Sequence, residues 1–140
     1  MIDYYEKILN SYDSELQKEV LNNSKYLPFL FKNNTNANCQ LLLGLLYEKG
    51  IYVIKDYKES LEWYKLSAQQ DNPVSQMKLG DFYYNGHGTE RNYSEALKWF
   101  QMSSNQNNSD ALNALGNLYL RGHGVDQNFN EALKYFQMSS

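Results

Sequence analysis

Residues 94–104 read SEALKWFQMSS and residues 130–140 read NEALKYFQMSS, so nearly the same segment occurs twice, 36 residues apart. A Leu-Gly pair at residues 43–44, 79–80 and 115–116 keeps the same interval. The agreement covers too many positions to arise by chance. Self-similarity at a fixed period of roughly 20–50 residues is the signature of a repeat architecture, so the sequence predicts a fold built from repeated units.

Each repeat unit is predicted to form two helices separated by a glycine turn. In the second repeat, the apolar stripe of a packed first helix consists of Leu79, Phe82 and Tyr83. Gly86 follows at the left-handed position that ends a helix. The second helix opens with Asn92 and a glutamate three residues later, which resembles a capping box. The mid-helix glycine costs about 1 kcal/mol in helix propensity, so we expect the partner helix to approach closely there.

The order Leu-Gly-x-x-Tyr-x-x-Gly-x-Gly, then Glu-Ala-Leu-x-Trp-Phe and two small residues, resembles the Sel-one-like repeat family of tetratricopeptide-like α/α solenoids. The resemblance covers residues 37–140. It implies an all-α fold, a right-handed α/α superhelix (solenoid) of helix–turn–helix repeats. We expect a degenerate N-terminal helical pair acting as a cap at residues 1–36, followed by repeat 1 (37–72), repeat 2 (73–108) and repeat 3 (109–140).

Three places depart from the repeat pattern. The N-terminal segment lacks the glycines but has one helical stripe of Tyr5, Ile8, Leu9 and Tyr12 and another of Leu27, Leu30 and Phe31. Pro28 predicts that the second helix of this pair is short or begins near it. Tyr52 stands where repeats 2 and 3 have a second glycine, so we expect a different turn in repeat 1. Repeat 3 stops four residues short of a full unit, which predicts a longer native protein or an edge covered by another molecule.

Composition narrows the classes of partner and compartment. The formal net charge of −3 argues against nucleic acid or an anionic membrane, because both favour a basic face. No apolar run approaches the roughly 20 residues that cross a bilayer, so we expect no membrane insertion. The single cysteine, Cys39, fits a reducing compartment. The acidic N-terminus lacks a signal-peptide pattern, and we expect a cytoplasmic protein.

The sequence offers little catalytic chemistry. It has no phosphate-cradling glycine-rich loop, and Cys39 has no evident catalytic partner. His87 and His123 occupy equivalent turns without Cys or carboxylate groups at ligand spacing. We therefore interpret both histidines as turn residues and expect no metal and no cofactor. The chain is predicted not to be an enzyme, with a hydrolase as the remote alternative.

Binding of a protein or peptide is the favoured hypothesis, because the first helices of an α/α solenoid line a concave groove. By analogy with the tetratricopeptide pattern, the groove residues are Asn38, Leu41, Leu45, Glu48, Val74, Met77, Asp81, Tyr84, Asn85, Asp110, Asn113, Asn117, Leu120 and Arg121. Asn113, Asn117 and Arg121 share one helix face, where amides can hold a peptide backbone and the guanidinium a carboxylate. Leu45, Met77 and Tyr84 could provide an apolar anchor.

Two alternatives to a peptide groove remain open at this point. An ordinary solvated polar face, without a ligand, is an equally good interpretation of the groove residues. The chain is also interpretable as a structural segment of a longer solenoid. In that case it would self-associate through the C-terminal edge that follows Leu133, Tyr135 and Phe136.

Overall fold

The structure is a computed structural model that describes residues 3–11 and 13–140, and this described part is all-helical, with nine α-helices. Six of them form the three repeats: α4 (Ala37–Lys49), α5 (Tyr57–Ala68), α6 (Pro73–Asn85), α7 (Tyr93–Ser104), α8 (Ser109–Arg121) and α9 (Phe129–Ser139). The predicted all-α fold of helix–turn–helix repeats is therefore confirmed. The chain divides into two compact units, Met1–Asn72 and Pro73–Ser140.

The N-terminal part of the first unit contains three short helices rather than the predicted pair. These are α1 (Tyr4–Asn10), α2 (Ser14–Leu21) and α3 (Leu27–Lys32), with a 3₁₀ turn at Ser24–Tyr26 before α3. The prediction of two helices is wrong because Asp13 starts a new helix, its carboxylate accepting a hydrogen bond from the Leu16 N–H at 2.6 Å. Pro28 lies in the first turn of α3, as predicted. Tyr12, part of the predicted stripe, lies outside the described residues.

Helix α4 is the most deeply buried helix segment of the first unit. Every residue from 39 to 46 is buried, and α4 contacts α1, α2 and α3 as well as its repeat partner α5. Its side chains are apolar around most of the helix, which is typical of a helix enclosed by neighbours. The N-terminal helices therefore pack onto the first repeat.

In each repeat, the glycine in the middle of the first helix receives an aromatic ring from the second helix. The pairs are Gly44 with Tyr64, Gly80 with Phe100, and Gly116 with Phe136. A Cβ atom built on these glycines would lie only 2.5–2.6 Å from the nearest ring carbon. The expected close approach is confirmed, since the ring occupies the space that a side chain would need.

A serine near the end of the second helix connects it to the start of the first helix. Ser67 Oγ donates to the Ala37 carbonyl at 2.8 Å in repeat 1, and Ser103 Oγ donates to the Pro73 carbonyl at 2.6 Å in repeat 2. These bonds satisfy carbonyl groups at points where the helices meet. The small residues at these positions therefore have a polar role in addition to allowing close packing.

The turn of repeat 1 keeps the backbone conformation of the other turns although its second glycine is absent. Tyr52 has a φ of 63°, comparable with 72° at Gly88 and 77° at Gly124. The Tyr52 hydroxyl donates to the Leu21 carbonyl at 3.0 Å. The expected difference is therefore not found at this position, where a hydrogen bond to the N-terminal segment accompanies a conformation that tyrosine rarely adopts.

Candidate functional site

A pocket opens between α6 and α8 in the second unit. It is lined by Asp81, Tyr84, Asn85, Phe100, Ala114, Asn117 and Arg121, and its volume is about 260 Å³. Sites for drug-sized molecules and cofactors typically measure about 300–1,000 Å³. The pocket is therefore sized for a single side chain or a short stretch of a chain rather than for a large cofactor.

Five residues of the predicted groove come together in this pocket, namely Asp81, Tyr84, Asn85, Asn117 and Arg121. The predicted groove lacks the two apolar lining residues, Phe100 and Ala114. Phe100 lies on α7, the second helix of its repeat, whereas the predicted groove residues are on first helices. Ala114 stands where repeat 2 has Lys78, and this change to a small side chain is the sequence signal that marks an open space.

Four polar residues frame the pocket, two on each first helix. Asp81 and Asn85 are one turn apart on α6, and Asn117 and Arg121 are their counterparts on α8. Four residues correspond to a rise of about 6 Å along a helix. We call these four residues the polar frame, in which the carboxylate and the guanidinium occupy opposite corners. Asn85 Nδ2 donates to the Asp81 carbonyl at 3.0 Å, which holds this amide against its own helix.

Tyr84 is held at the pocket wall by the turn that follows α8. Its hydroxyl oxygen lies 2.8 Å from His123 Nδ1, at hydrogen-bond distance. His123 stacks on the ring of Tyr93, and Arg91 lies over the same ring with its guanidinium carbon 5.7 Å from the centroid. His123 is a turn residue as predicted, and it also contacts a wall of the pocket, which its sequence position did not indicate.

Three apolar residues of the predicted groove are buried instead of open to a ligand. Leu41 and Leu45 are 0% and 1% exposed, and Met77 is 9% exposed within a core cluster that includes Phe100 and Leu115. Their predicted placement on an open groove is wrong. For α4 the physical reason is that the N-terminal helices contact it in addition to α5, so fewer of its side chains remain accessible than a two-helix repeat would leave.

The remaining predicted groove residues lie outside the pocket. In the first unit, Asn38 accepts a hydrogen bond from Asn72 Nδ2 at 3.2 Å, and Glu48 accepts one from the Tyr64 hydroxyl. Asn113 is exposed and accepts from Ser139 Oγ at 2.6 Å. Asp110 and Leu120 are also exposed on α8, and Val74 is half-buried at the start of α6. The structure therefore separates the predicted set into pocket residues and residues bonded or placed elsewhere.

Other chemistry is sparse in the part of the chain that the structure describes. Within residues 3–11 and 13–140, no three His, Cys, Asp or Glu side chains are close enough to share a metal ion. Burial raises the pKa of the Cys39 thiol to about 11, which opposes thiolate formation. None of the described helices is both long enough and apolar enough to cross a bilayer.

The paired helices, the glycine–aromatic contacts and the inter-helix pocket define a helical repeat protein. The family model described as the Sel1 repeat matches residues 37–72, 73–108 and 109–140, and the chain belongs to the Sel1 repeat family. The predicted family is therefore confirmed. Proteins with these repeats generally mediate protein–protein interactions, and the family is a repeat scaffold. None of the curated proteins matches the chain.

Solved structures of repeat proteins are similar to this chain over most of its length. A Sel1 repeat protein from Oxalobacter formigenes is 33% identical, with a TM-score of 0.80 over 91% of this chain and 54% of its own. A protective antigen of uropathogenic Escherichia coli with an SLR fold is 22% identical, with a TM-score of 0.83 over 99% of this chain and 33% of its own. Helicobacter pylori cysteine rich protein B is 21% identical, with a TM-score of 0.65 over 88% and 87%. The chain thus spans about half of the first protein and a third of the second.

Proposed function

We propose that this protein is an interaction scaffold that binds an extended peptide segment of a partner in the pocket between α6 and α8. The observation that carries the proposal is the convergence of the polar frame and Tyr84 around the apolar surface of Phe100 and Ala114. A few directed polar groups around an apolar floor are the usual composition of a binding site. The pocket volume of about 260 Å³ favours a side chain and its adjoining backbone as the occupant.

The polar groups of the pocket suit an extended backbone. An extended segment presents unpaired N–H and C=O groups, and the amide of Asn117 can both donate and accept hydrogen bonds. Each such bond contributes about 0.5–1.5 kcal/mol net. Ala114 and the small exposed part of Phe100 offer apolar contact to one ligand side chain, and the small size of Ala114 leaves the space for it. Affinity would come from this anchor together with the backbone bonds.

Selection of random decapeptides on the immobilised protein tests the proposal. The affinity of each selected peptide is then measured by fluorescence anisotropy against three variants. Asn117→Ala removes a frame amide, and Ala114→Leu fills the pocket without a cost in helix propensity. We expect each of these to weaken binding about tenfold, equivalent to about 1.4 kcal/mol. Asn113→Ala, one turn away on α8 and outside the pocket, is the matched control and should leave the affinity unchanged.

Two results would overturn the proposed peptide site. One is a failure of the folded protein to select any peptide from the library. The other is selection of peptides whose affinity is unchanged by both Asn117→Ala and Ala114→Leu, with circular dichroism showing that the variants are folded. Peptides of the second kind would bind elsewhere on the protein.

We also propose self-association of two copies through the outer face of α9, which a separate observation favours. Phe129 and Leu133 are 65% and 55% exposed there. Leu97, the counterpart of Leu133 in α7, is half-buried and packs against a cluster that contains Ala111 and Leu115 of α8. The face that α8 covers on α7 is thus open on α9. An apolar patch can meet its own copy around a twofold axis, because the same surface then serves both sides.

Sedimentation equilibrium over a wide concentration range tests the α9 contact. The protein is expected to show a monomer–dimer equilibrium, and Leu133→Glu is expected to make it monomeric by placing a charge in the apolar patch. Asn130→Glu adds the same charge to a polar position of α9 and is the control. A strict monomer at high concentration, or a dimer that is insensitive to Leu133→Glu, would contradict self-association through this face.

A further inference from the structure

We propose that the pocket selects extended segments in which a basic and an acidic side chain lie four residues apart, with an apolar side chain midway between them. The acidic group would contact Arg121 and the basic group Asp81. This inference rests on the proposed function, because it specifies the ligand of the same pocket.

The charges of the pocket favour a ligand with one charge of each sign. Among the described residues that line it, Asp81 and Arg121 are the charged ones, and they carry opposite signs. A wholly acidic segment would be attracted by the guanidinium and repelled by the carboxylate, and a wholly basic segment would meet the reverse. A segment with one charge of each sign can gain both attractions. The pocket therefore discriminates by the order of charges rather than by their sum.

The geometry of the polar frame sets the spacing between the two charges of the ligand. Asp81 and Arg121 are offset by one helical turn, about 6 Å along the axis, and they stand on neighbouring helices. Packed helices are about 8–10 Å apart, and helices with a pocket between them are at least this far apart, so the diagonal between these two positions is at least about 10 Å. Residues i and i+4 of an extended chain are about 13 Å apart and point to the same side. Lysine and glutamate side chains can adjust over this difference.

The ligand residue between the two charges would face the apolar part of the pocket. In an extended chain, residue i+2 points to the same side as residues i and i+4. It would therefore enter the middle of the pocket, where Phe100 and Ala114 contribute their apolar surface. Asn117 occupies an uncharged corner of the frame, where its amide can bond to the peptide backbone without imposing a sign of charge. The resulting motif is basic-x-apolar-x-acidic in one chain direction or its reverse in the other.

The decapeptides selected on the full-length protein provide the first test. We expect them to be enriched in oppositely charged residues four apart around an apolar residue, with one order of the charges dominant. The best peptide is then synthesised with blocked termini, which removes the terminal charges, and with either charge replaced by the opposite sign. Each replacement should weaken binding about tenfold at low salt and less at high salt, since exposed charges are screened.

Exchanging the two charges of the pocket provides the second test. The double variant Asp81→Arg, Arg121→Asp should reverse the preferred order of charges in the selected peptides. Asp110→Arg changes an exposed charge on α8 outside the pocket and should leave the order unchanged. A general loss of folding cannot imitate a reversed preference, so this readout separates recognition from stability.

The outcomes distinguish this inference from the proposed function on which it rests. Peptides whose affinity is lowered by Ala114→Leu but which show no preferred charge order would overturn the basic-x-apolar-x-acidic motif. The proposed peptide site would remain. The same conclusion follows if the charge exchange leaves the selected order unchanged. If the folded protein selects no peptide at all, the proposed function fails and the motif fails with it.

Discussion

The rings of Tyr93 and His123 stack face to face, with centroids 4.5 Å apart and planes inclined by only 3°. Tyr93 begins α7, and His123 lies in the turn after α8, so the stack connects two successive repeats of the second unit. His123 also lies at hydrogen-bond distance from Tyr84. The orientation of one pocket wall therefore depends on a turn that does not itself line the pocket.

Replacing His123 should lower the stability of the protein. We expect His123→Ala to lower the free energy of unfolding by about 1–2 kcal/mol, because it removes a ring contact and a hydrogen bond. His123→Phe keeps an aromatic ring and loses the bond to Tyr84, so the decrease in its free energy of unfolding should be about half as large. Urea denaturation measures both values. Equal stability of His123→Ala and the unchanged protein would show that the stack contributes nothing.

Adding a methyl group at the mid-helix glycines should destabilise repeat 2 more than repeat 3. Alanine gains about 1 kcal/mol over glycine in helix propensity, but the new Cβ would clash with the facing ring. Phe100 is only 2% exposed and has little space into which to shift, so we expect Gly80→Ala to destabilise the protein by about 1–2 kcal/mol. Phe136 is half-exposed and can shift, so Gly116→Ala should be nearly neutral. Chemical denaturation of both variants measures the difference.

Replacing the Phe100 ring with leucine provides the control for the clash at Gly80. In the Phe100→Leu background, the additional cost of Gly80→Ala should be smaller, because leucine can occupy another rotamer away from the new methyl group. A cost that is the same in both backgrounds would mean that the glycine is required for a reason other than contact with the Phe100 ring.

The repeat architecture could be predicted because each packing contact recurs at the same interval, so one pattern in the sequence reports the same local structure three times. The burial of Leu41 and Leu45 could not, since it depends on tertiary packing around α4 that the repeat pattern does not encode. Nor could the place of Phe100 in the pocket wall, because it depends on the size of Ala114 on another helix. The repeat pattern indicates the structure that the three repeats share, whereas the pocket depends on positions at which the repeats differ.

Tyr52 should destabilise the folded protein through its strained backbone and stabilise it through its side-chain hydrogen bond. Its φ of 63° costs a residue with a Cβ about 1–2 kcal/mol, and its hydroxyl bonds to the Leu21 carbonyl. Tyr52→Ala and Tyr52→Gly both lose that bond, but only glycine relieves the backbone strain. We therefore expect the glycine variant to be about 1 kcal/mol more stable than the alanine variant in urea denaturation. Equal stabilities would contradict strain at this position.

The buried thiol of Cys39 should make the protein sensitive to alkaline pH. Burial raises the pKa of Cys39 to about 11, so the native state keeps the thiol proton at pH values where the unfolded chain has released it. Because the native state then binds more protons than the unfolded state, the free energy of unfolding falls as pH rises. The contribution is fully present below about pH 9 and is lost on approaching pH 11. Its upper limit is on the order of 2–3 kcal/mol.

Comparison with Cys39→Ala isolates this contribution from the tyrosines that also titrate at high pH. Burial raises the pKa of Tyr26 to about 12, with a further contribution from its hydrogen bond to Glu19, so both proteins should lose stability above pH 10. Between about pH 9 and 10, however, the unchanged protein should show the steeper decline in urea denaturation, because only it can release a thiol proton on unfolding. The variant loses packing at every pH, so the slopes and not the absolute values are compared. Parallel slopes would mean that the Cys39 thiol has the same pKa in the native and unfolded states, in contradiction to its complete burial.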